Sequence, residues 1–427
     1  MARAGKGGEF KTTFKNASSN LHLSRQRLFT LEGRQACLPW GPVPSCLALK
    51  ENTMKTFSTN RPLLAGLLLA VLAGCGGSSD SERYETLPPQ LSYASLCGLP
   101  PASSETYRVL EPTGGRCIAK AGFALSDPRR GDPYSSNPQD RREVELKIWY
   151  PVAVGSSQPR AEYASKETMQ GMDFDLGPTA PRTNARAGGP MADGQRYPVI
   201  LLAPGLGAVV EMYTALAEDL ASHGYIVVGI NHGRISGVIV NGEGKIIRNE
   251  RLPDDEGSDE MLDVLVKDQA FVLDWLAQRN ADSGHLLGSH LDLARIGAYG
   301  HSIGGATSLQ LQRQDARVRA AINLDGTVYG DLSQPWSKPF LILASERPTD
   351  PSYLAIMKLQ RNVGSSEVLA GFGHGDFSDV KFYVEQYNRN NPVKKGLDPE
   401  MFFSVRGEDA LRLVREKTRV FFRTAVK

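Results

Sequence analysis

The sequence has few of the residues that build metal or nucleic-acid sites. It contains five cysteines and seven histidines among 427 residues, and their spacings match neither Cys-x-x-Cys nor His-Glu-x-x-His. The formal net charge is +2 at pH 7, with 49 basic and 47 acidic side chains, and the chain has no long basic run and no aromatic stripe. The sequence therefore predicts neither a metal centre nor a nucleic-acid partner.

Long hydrophobic runs are also missing. The apolar run at residues 63–72 is too short to span a bilayer comfortably and has no stop-transfer flank. It follows Lys55 and Arg61 and ends in Leu72-Ala73-Gly74-Cys75. A cysteine after small residues is what lipid attachment requires. The pattern predicts a bacterial lipoprotein signal peptide over residues 54–74 and a lipidated Cys75, which would anchor the protein in the cell envelope, in the outer membrane or facing the periplasm.

The signal-peptide prediction also indicates which cysteines remain in the mature protein. Met54 is a natural start for the signal peptide, so residues 1–53 are predicted to be a non-native, disordered upstream extension. Residues 75–120 then form a tether and an amino-terminal segment. Within it, Cys97 and Cys117 are the pair left for a disulfide in an oxidising compartment. Closing that loop is worth on the order of 3 kcal/mol.

Strand and helix patterns alternate over residues 121–427 and predict an α/β domain with a mostly parallel sheet. Residues 144–150 alternate apolar and polar side chains, which predicts an antiparallel strand with one wet face. Amphipathic patterns predict helices over residues 262–276 and 413–421.

Two segments do not fit the alternation. Residues 155–196 are rich in Gly, Pro, Ala and Ser, and residues 233–259 are polar with a short apolar island. Each is predicted to be either a lid over the site or a disordered loop, and composition does not decide between the two.

The motif Gly300-His301-Ser302-Ile303-Gly304 reads as a nucleophile elbow. A short apolar strand pattern at residues 295–299 precedes it, and residues 307–313 can form a helix. A sharp turn between strand and helix exposes the serine, and it needs small residues on both sides. Ser302 is therefore the predicted nucleophile.

A nucleophilic serine needs a base and an acid. In folds that carry a nucleophile elbow, both follow the serine in the chain. His374 is the only histidine after Ser302, and it lies in a glycine-rich loop after a strand pattern at residues 367–369. Asp325 ends the first strand pattern after the elbow and Glu346 follows the second. Either acid could reach the loop, and strand position alone does not choose between them.

The fourth requirement is a pair of backbone donors for the oxyanion. The buried strand pattern at residues 199–203 opens into Pro204-Gly205-Leu206-Gly207. The N–H groups of Leu206 and Ile303 are the predicted donors. A dinucleotide fingerprint at the same glycines fails, because Val210 replaces the third glycine and the next strand ends in Asn231 instead of an acid.

These motifs resemble the α/β-hydrolase superfamily, and more narrowly the plasma and intracellular type II platelet-activating factor acetylhydrolases. The resemblance covers roughly Phe123 to Lys427 and is carried by residues 198–208, 219–227 and 295–307. The family's acid lies one strand beyond the elbow after a leucine, as Asp325 does here, so the resemblance favours Asp325 over Glu346 as the acid. Its histidine precedes a phenylalanine by three residues, as His374 does.

The sequence departs from the family at one place. Ala203-Pro204 stands where the animal enzymes have a Ser-His pair before the oxyanion glycine. This change leaves the backbone donors in place but changes the predicted shape of the acyl pocket.

The resemblance implies an α/β-hydrolase catalytic domain over residues 121–427 and a serine ester hydrolase that uses Ser302, His374 and Asp325 with no metal or organic cofactor. It implies small ester substrates with short or oxidised acyl groups, including phospholipids. A broad carboxylesterase or polyester hydrolase is one alternative. A catalytically silent lipid-binding lipoprotein is another, although a complete set of serine, histidine, acid and oxyanion donors argues against it.

Overall fold

The computed structural model describes residues 92–100, 107–171, 181–192, 194–249, 258–329, 336–347, 352–359 and 362–426. All of them belong to one of two compact units of the chain, Glu82–Lys427. The predicted extension, signal peptide and lipidated Cys75 lie outside the described residues. Residue 121, where the sequence places the start of the catalytic domain, lies inside the first strand.

The described elements alternate in the way the sequence predicts. The strands are β1 (Ile118–Gly131), β2 (Arg141–Pro151), β3 (Arg186–Ala187), β4 (Tyr197–Ala203), β5 (Ile226–His232), β6 (Val238–Val240), β7 (Ile246–Arg248), β8 (Leu291–His301), β9 (Val318–Leu324), β10 (Phe340–Ala344) and β11 (Gly364–Val368). The α-helices are α1 (Tyr93–Leu96), α2 (Lys166–Gly171), α3 (Thr214–Ser222), α4 (Ser258–Ala281), α5 (Ile303–Gln314), α6 (Ser352–Leu359), α7 (Val380–Asn390) and α8 (Gly407–Ala425). Short 3₁₀ helices cover Val210–Tyr213 and His374–Phe377.

Nine strands form one sheet in the order β11-β10-β9-β8-β4-β5-β2-β1-β3. The six strands from β11 to β5 are parallel, whereas β2 runs antiparallel to both β5 and β1. Strands β4, β5, β9 and β10 are buried almost throughout, as expected for parallel strands covered on both faces, whereas the edge strand β11 is polar and mostly exposed. Helix α4 packs on α5 and α3 packs on α8. This architecture confirms the predicted α/β-hydrolase fold and both predicted amphipathic helices.

The prediction that one face of β2 is exposed to solvent is wrong. Glu145 and Lys147 are buried, because they satisfy each other instead of facing solvent. Lys147 Nζ donates to Glu145 Oε1 at 2.6 Å and lies 3.7 Å from Glu211 Oε1. The side-chain amide of Asn231 donates to the other Glu145 oxygen at 3.3 Å. Alternation of polar residues therefore marks a buried polar network here.

Parts of both segments predicted to be lids or disordered loops, residues 155–196 and 233–259, are packed into the fold. In the first, β3 pairs with β1, and Thr183 and Asn184 are buried beside it. In the second, β6 and β7 form a hairpin whose Val238 and Ile239 are buried. Residues 172–180, 193 and 250–257 lie outside the described ranges, and lid movement stays a prediction.

Cys97 and Cys117 form a disulfide that joins the end of α1 to the start of β1. The side chain of Tyr93 is buried on the same segment, and its hydroxyl donates to the carbonyl of Arg116 at 2.9 Å. The amino-terminal segment from Ser92 is thus part of the packed core at this edge of the sheet.

Candidate active site

Ser302 lies in the sharp turn between β8 and α5 with φ 55° and ψ −126°. This conformation is strained for a residue with a side chain. The flanking glycines allow the turn to close. A Cβ on Gly300 would lie 2.3 Å from the carbonyl of Gly304, and a Cβ on Gly304 would lie 2.3 Å from the carbonyl oxygen of Ala203. The structure therefore has the backbone of a nucleophile elbow at the predicted position.

Backbone hydrogen bonds tie the elbow to the next strand ends. The N–H of Ser302 donates to the carbonyl of Leu324 at 2.9 Å. Asp325 follows directly with a positive φ of 53°, and its own N–H donates to the carbonyl of Leu343 at 2.8 Å. Main-chain hydrogen bonds thus link the position of Ser302 to that of Asp325.

The carboxylate of Asp325 faces the imidazole of His374. Its Oδ2 lies 2.7 Å from Nδ1 of His374, and its Oδ1 accepts the N–H of Ser345 at 2.8 Å. The carboxylate side chain is 2% exposed and the imidazole 17% exposed. Because a carboxylate accepts, Nδ1 of the imidazole carries the hydrogen, and Nε2 keeps its lone pair for a proton from another group.

Glu346 has a different partner. Its Oε2 accepts the N–H of Gly371 at 2.5 Å, and its backbone N–H donates to the carbonyl of Phe372 at 2.8 Å. Glu346 therefore holds the start of the loop that carries His374, and the acid in contact with the imidazole is Asp325.

Asp376 also shapes this loop, and the sequence reasoning did not single it out. Its Oδ2 accepts the N–H groups of Gly373 at 2.7 Å and Phe403 at 2.9 Å. Its other oxygen lies 3.2 Å from Nζ of Lys381. An aspartate three residues after a glycine is a common capping arrangement, and that spacing is the signal that could have indicated its role.

The turn after β4 lies against the elbow. A Cβ on Gly205 would lie 3.4 Å from the Cβ of Ser302. The N–H of Gly205 donates to Tyr213 Oη at 3.2 Å, and that of Gly207 donates to the carbonyl of Ile235 at 3.1 Å. Within the described ranges the N–H of Leu206 has no acceptor.

Ile303 begins α5, where helix geometry leaves the first N–H groups without intrahelical partners. The two predicted oxyanion donors therefore lie on the two segments that flank Ser302. Their role is still a prediction.

In the part of the chain that the structure describes, Ser302 Oγ makes no hydrogen bond. Catalytic hydrogen bonds often tighten only when substrate is bound. The transfer of a proton from Ser302 to His374 thus stays a prediction, whereas the pairing of His374 with Asp325 is a feature of the structure.

His301 and Tyr213 are buried next to the elbow and contact each other. Nδ1 of His301 lies 2.9 Å from the hydroxyl of Tyr213, and its Nε2 lies 2.8 Å from the carbonyl oxygen of His374. Burial lowers the pKa of His301 well below its ordinary value, and neighbouring His374 lowers it further. His301 is therefore neutral at physiological pH.

Among the described residues, no group of three or more His, Cys, Asp or Glu side chains is placed to hold a metal ion. The same part of the chain has no helix of the length and apolar character needed to cross a bilayer.

Two stretches of the chain, residues 134–243 and 278–420, match the family model described as platelet-activating factor acetylhydrolase, isoform II. Together they make up more than half of the chain. The platelet-activating factor acetylhydrolase of Cavia porcellus is 26% identical over 263 residues, which are 51% of this chain and 60% of that protein. That of Bos taurus is 29% identical over 284 residues, which are 58% of this chain and 62% of that protein.

A fungal relative also matches. The probable 1-alkyl-2-acetylglycerophosphocholine esterase of Arthroderma benhamiae is 32% identical over 141 residues, 33% of this chain and 34% of that protein. The chain thus matches less than two thirds of the length of each of these three relatives.

Among solved structures, a ferulic acid esterase from Streptomyces cinnamoneus aligns with a TM-score of 0.64 and 28% sequence identity. The alignment covers 75% of this chain and 93% of the esterase. Agreement over nearly the whole of that chain shows that the described sheet and helices have the α/β-hydrolase fold that this esterase also has.

Proposed function

Because this chain belongs to the isoform II family of platelet-activating factor acetylhydrolases, we propose that it is a serine ester hydrolase that works through an acyl-enzyme. One observation carries the proposal. Ser302 occupies a strained elbow, and its N–H donates to the carbonyl of Leu324, the last residue of β9. Asp325 follows Leu324, and its Oδ2 lies 2.7 Å from Nδ1 of His374. Acyl transfer requires a positioned serine and an imidazole oriented by an acid, and the structure has a strained elbow at Ser302 and an imidazole paired with Asp325.

In the proposed reaction, Ser302 Oγ attacks the ester carbonyl while Nε2 of His374 takes the hydroxyl proton. The negative oxygen of the tetrahedral intermediate accepts hydrogen bonds from the N–H groups of Leu206 and Ile303. His374 then gives its proton to the leaving alcohol, and an acyl-serine remains. His374 next takes a proton from water, whose oxygen attacks the acyl carbon. Collapse of the second intermediate returns the proton to Ser302 and releases the acid.

Asp325 has a positioning and electrostatic role in this scheme. Its hydrogen bond keeps the hydrogen of the neutral imidazole on Nδ1 and stabilises the cation that forms on His374. No step of the scheme requires a metal or an organic cofactor.

The proposed substrates are esters with short or oxidised acyl groups, including those on glycerophospholipids. The names of the relatives support the short-acyl part of this class, since they are a platelet-activating factor acetylhydrolase and a probable 1-alkyl-2-acetylglycerophosphocholine esterase. A broad carboxylesterase or polyester hydrolase is the second candidate. It is favoured by the ferulic acid esterase fold and by Ala203-Pro204, which stands where the animal enzymes have a Ser-His pair before the oxyanion glycine.

The test compares purified protein on an acetyl-glycerophospholipid, p-nitrophenyl esters of increasing acyl length, a feruloyl ester and a polyester film. We expect the highest kcat/KM on short acyl chains. A preference for feruloyl or polymer substrates would select the second candidate. Binding of phospholipid without turnover of any ester would indicate a silent lipid-binding protein and contradict the proposal.

Ser302→Ala supplies the matched control for these assays. Loss of the nucleophile should lower kcat by several orders of magnitude in a folded protein. A fluorophosphonate probe should label the parent protein and leave the variant unlabelled. Equal labelling of both proteins would show that Ser302 is not the nucleophile.

The membrane attachment is a separate proposal that depends on Cys75. Expressed from Met54 in a bacterial host, the protein should incorporate radiolabelled palmitate and sediment with membranes. Cys75→Ser should abolish both. An unlabelled parent protein in the soluble fraction would contradict an envelope location without affecting the proposed chemistry.

A further inference from the structure

His301, the residue before the nucleophile, contacts two other segments of the site. Its Nε2 lies 2.8 Å from the carbonyl oxygen of His374, and its Nδ1 lies 2.9 Å from Tyr213 Oη. The side chain is 6% exposed, and the two imidazole rings lie 4.6 Å apart between centroids. A carbonyl oxygen can only accept, so the hydrogen of the neutral His301 ring is on Nε2 and its Nδ1 is an acceptor.

Tyr213 completes the chain of hydrogen bonds. Its oxygen accepts the N–H of Gly205 at 3.2 Å. Burial raises the pKa of Tyr213 well above its usual value, so the hydroxyl keeps its proton and donates it to Nδ1 of His301. Every donor in the chain from Gly205 through Tyr213 and His301 to the carbonyl of His374 thus has one acceptor.

The ends of this chain are the two segments that must be aligned with Ser302. Gly205 precedes Leu206, the proposed oxyanion donor, and the carbonyl belongs to the catalytic histidine itself. We propose that Tyr213 and His301 are positioning residues that hold the oxyanion turn and the histidine loop in register with the nucleophile. The inference rests on the proposed ester hydrolysis. A displacement of about 1 Å at such a site costs roughly 100-fold in rate.

The neutral state of His301 matters for the same reason. During acylation His374 becomes a cation, and a second cation with its centroid 4.6 Å away would oppose that step. A buried imidazole that stays neutral supplies a donor and an acceptor without adding charge.

Tyr213→Phe tests the first half of the chain, because it removes one oxygen and leaves the N–H of Gly205 and Nδ1 of His301 without partners. We expect kcat to fall about 10- to 100-fold with KM within roughly threefold of the parent value. The rate constant for fluorophosphonate labelling of Ser302 should fall by a similar factor. It reports the attack step without an ester substrate.

Tyr299→Phe is the matched control. Tyr299 is buried on β8 two residues before His301, and in the described part of the chain its hydroxyl has no hydrogen-bond partner. Removing that hydroxyl should leave kcat and the labelling rate within about twofold of the parent. If Tyr213→Phe and Tyr299→Phe have the same kinetics, the inference is wrong.

His301→Gln and His301→Phe test the second half. A Gln side chain keeps one donor and one acceptor, whereas Phe keeps only the ring. We expect Gln to retain kcat within about tenfold and Phe to lose roughly 100-fold or more, with both variants folded by circular dichroism. Equal kcat in the two variants would overturn the inference. A parent protein that neither hydrolyses esters nor takes the label at Ser302 would instead overturn the proposed function, and this inference with it.

Discussion

Asp325 and Glu346 follow neighbouring strands, yet their carboxylates have different partners. Asp325 contacts the imidazole of His374, and Glu346 contacts a backbone N–H of the same loop. A carboxylate that orients the imidazole is required in each transition state. A carboxylate that only accepts a hydrogen bond from a loop N–H sets the position of that loop. The oxygen of an amide can accept the same hydrogen bond.

The two acids therefore predict different kinetics. Asp325→Asn should lower kcat by roughly three to four orders of magnitude with little change in KM, because the amide favours the wrong tautomer of His374. Glu346→Gln should cost about tenfold or less, because its amide oxygen still accepts the N–H of Gly371. Steady-state kinetics on one p-nitrophenyl ester measures both. The reverse ranking would assign the acid role to Glu346.

The sequence predicts the residues of the candidate site more readily than the residues that support them. Ser302 and His374 follow from a local motif and from chain order, whereas chain order leaves Asp325 and Glu346 open and the family resemblance favours Asp325. The partnership of Tyr213 with His301 joins residues 88 positions apart, and no local pattern encodes it. Asp376 depends on Phe403, 27 positions later, for the same reason.

At the scale of elements, apolar runs predicted the parallel strands to within a few residues. The largest differences are in β8, which spans Leu291–His301 against a predicted 295–299, and in β11, which spans Gly364–Val368 against a predicted 367–369. Strand β2 was misread because alternation reports polarity and says nothing about what the polar atoms contact. Its Lys147 is buried between two carboxylates.

Lys147→Met should accordingly destabilise the protein strongly. It leaves Glu145 and Glu211 buried without the ammonium group, and loss of one partner of a buried pair costs about 3–5 kcal/mol. Lys267→Met is the control, because Lys267 pairs with Asp263 on the exposed surface of α4. That pair should contribute below about 1 kcal/mol. Urea unfolding measures both, and equal losses would contradict the role assigned to the buried network.

At the scale of the whole molecule, buried acids make stability depend on pH. Glu218 is fully buried, and its carboxylate accepts two N–H groups of Asn184. Burial raises its pKa from 4.5 to about 7. Between these values the folded protein holds a proton that the unfolded chain has lost. The stability contributed by this group is present below pH 4.5 and is lost as the pH rises through 7.

Glu218→Gln removes this dependence. The free energy of unfolding of the variant relative to the parent should increase with pH, by roughly 1 kcal/mol per unit between pH 5 and 7. Other titrating groups cancel in the comparison. A difference between variant and parent that stays constant from pH 5 to 7 would mean that the pKa of Glu218 is not raised.

The backbone ties at the catalytic edge have a consequence for how this site changes over evolutionary time. Ser302 and Asp325 are fixed through the carbonyls of Leu324 and Leu343, and Asp325 is oriented by the N–H of Ser345. The hydroxyl of Ser345 has no partner in the described part of the chain. Main-chain atoms are present in every residue, so these supporting positions can drift in sequence while the geometry they hold persists. Relatives with low identity can therefore preserve the same active-site geometry.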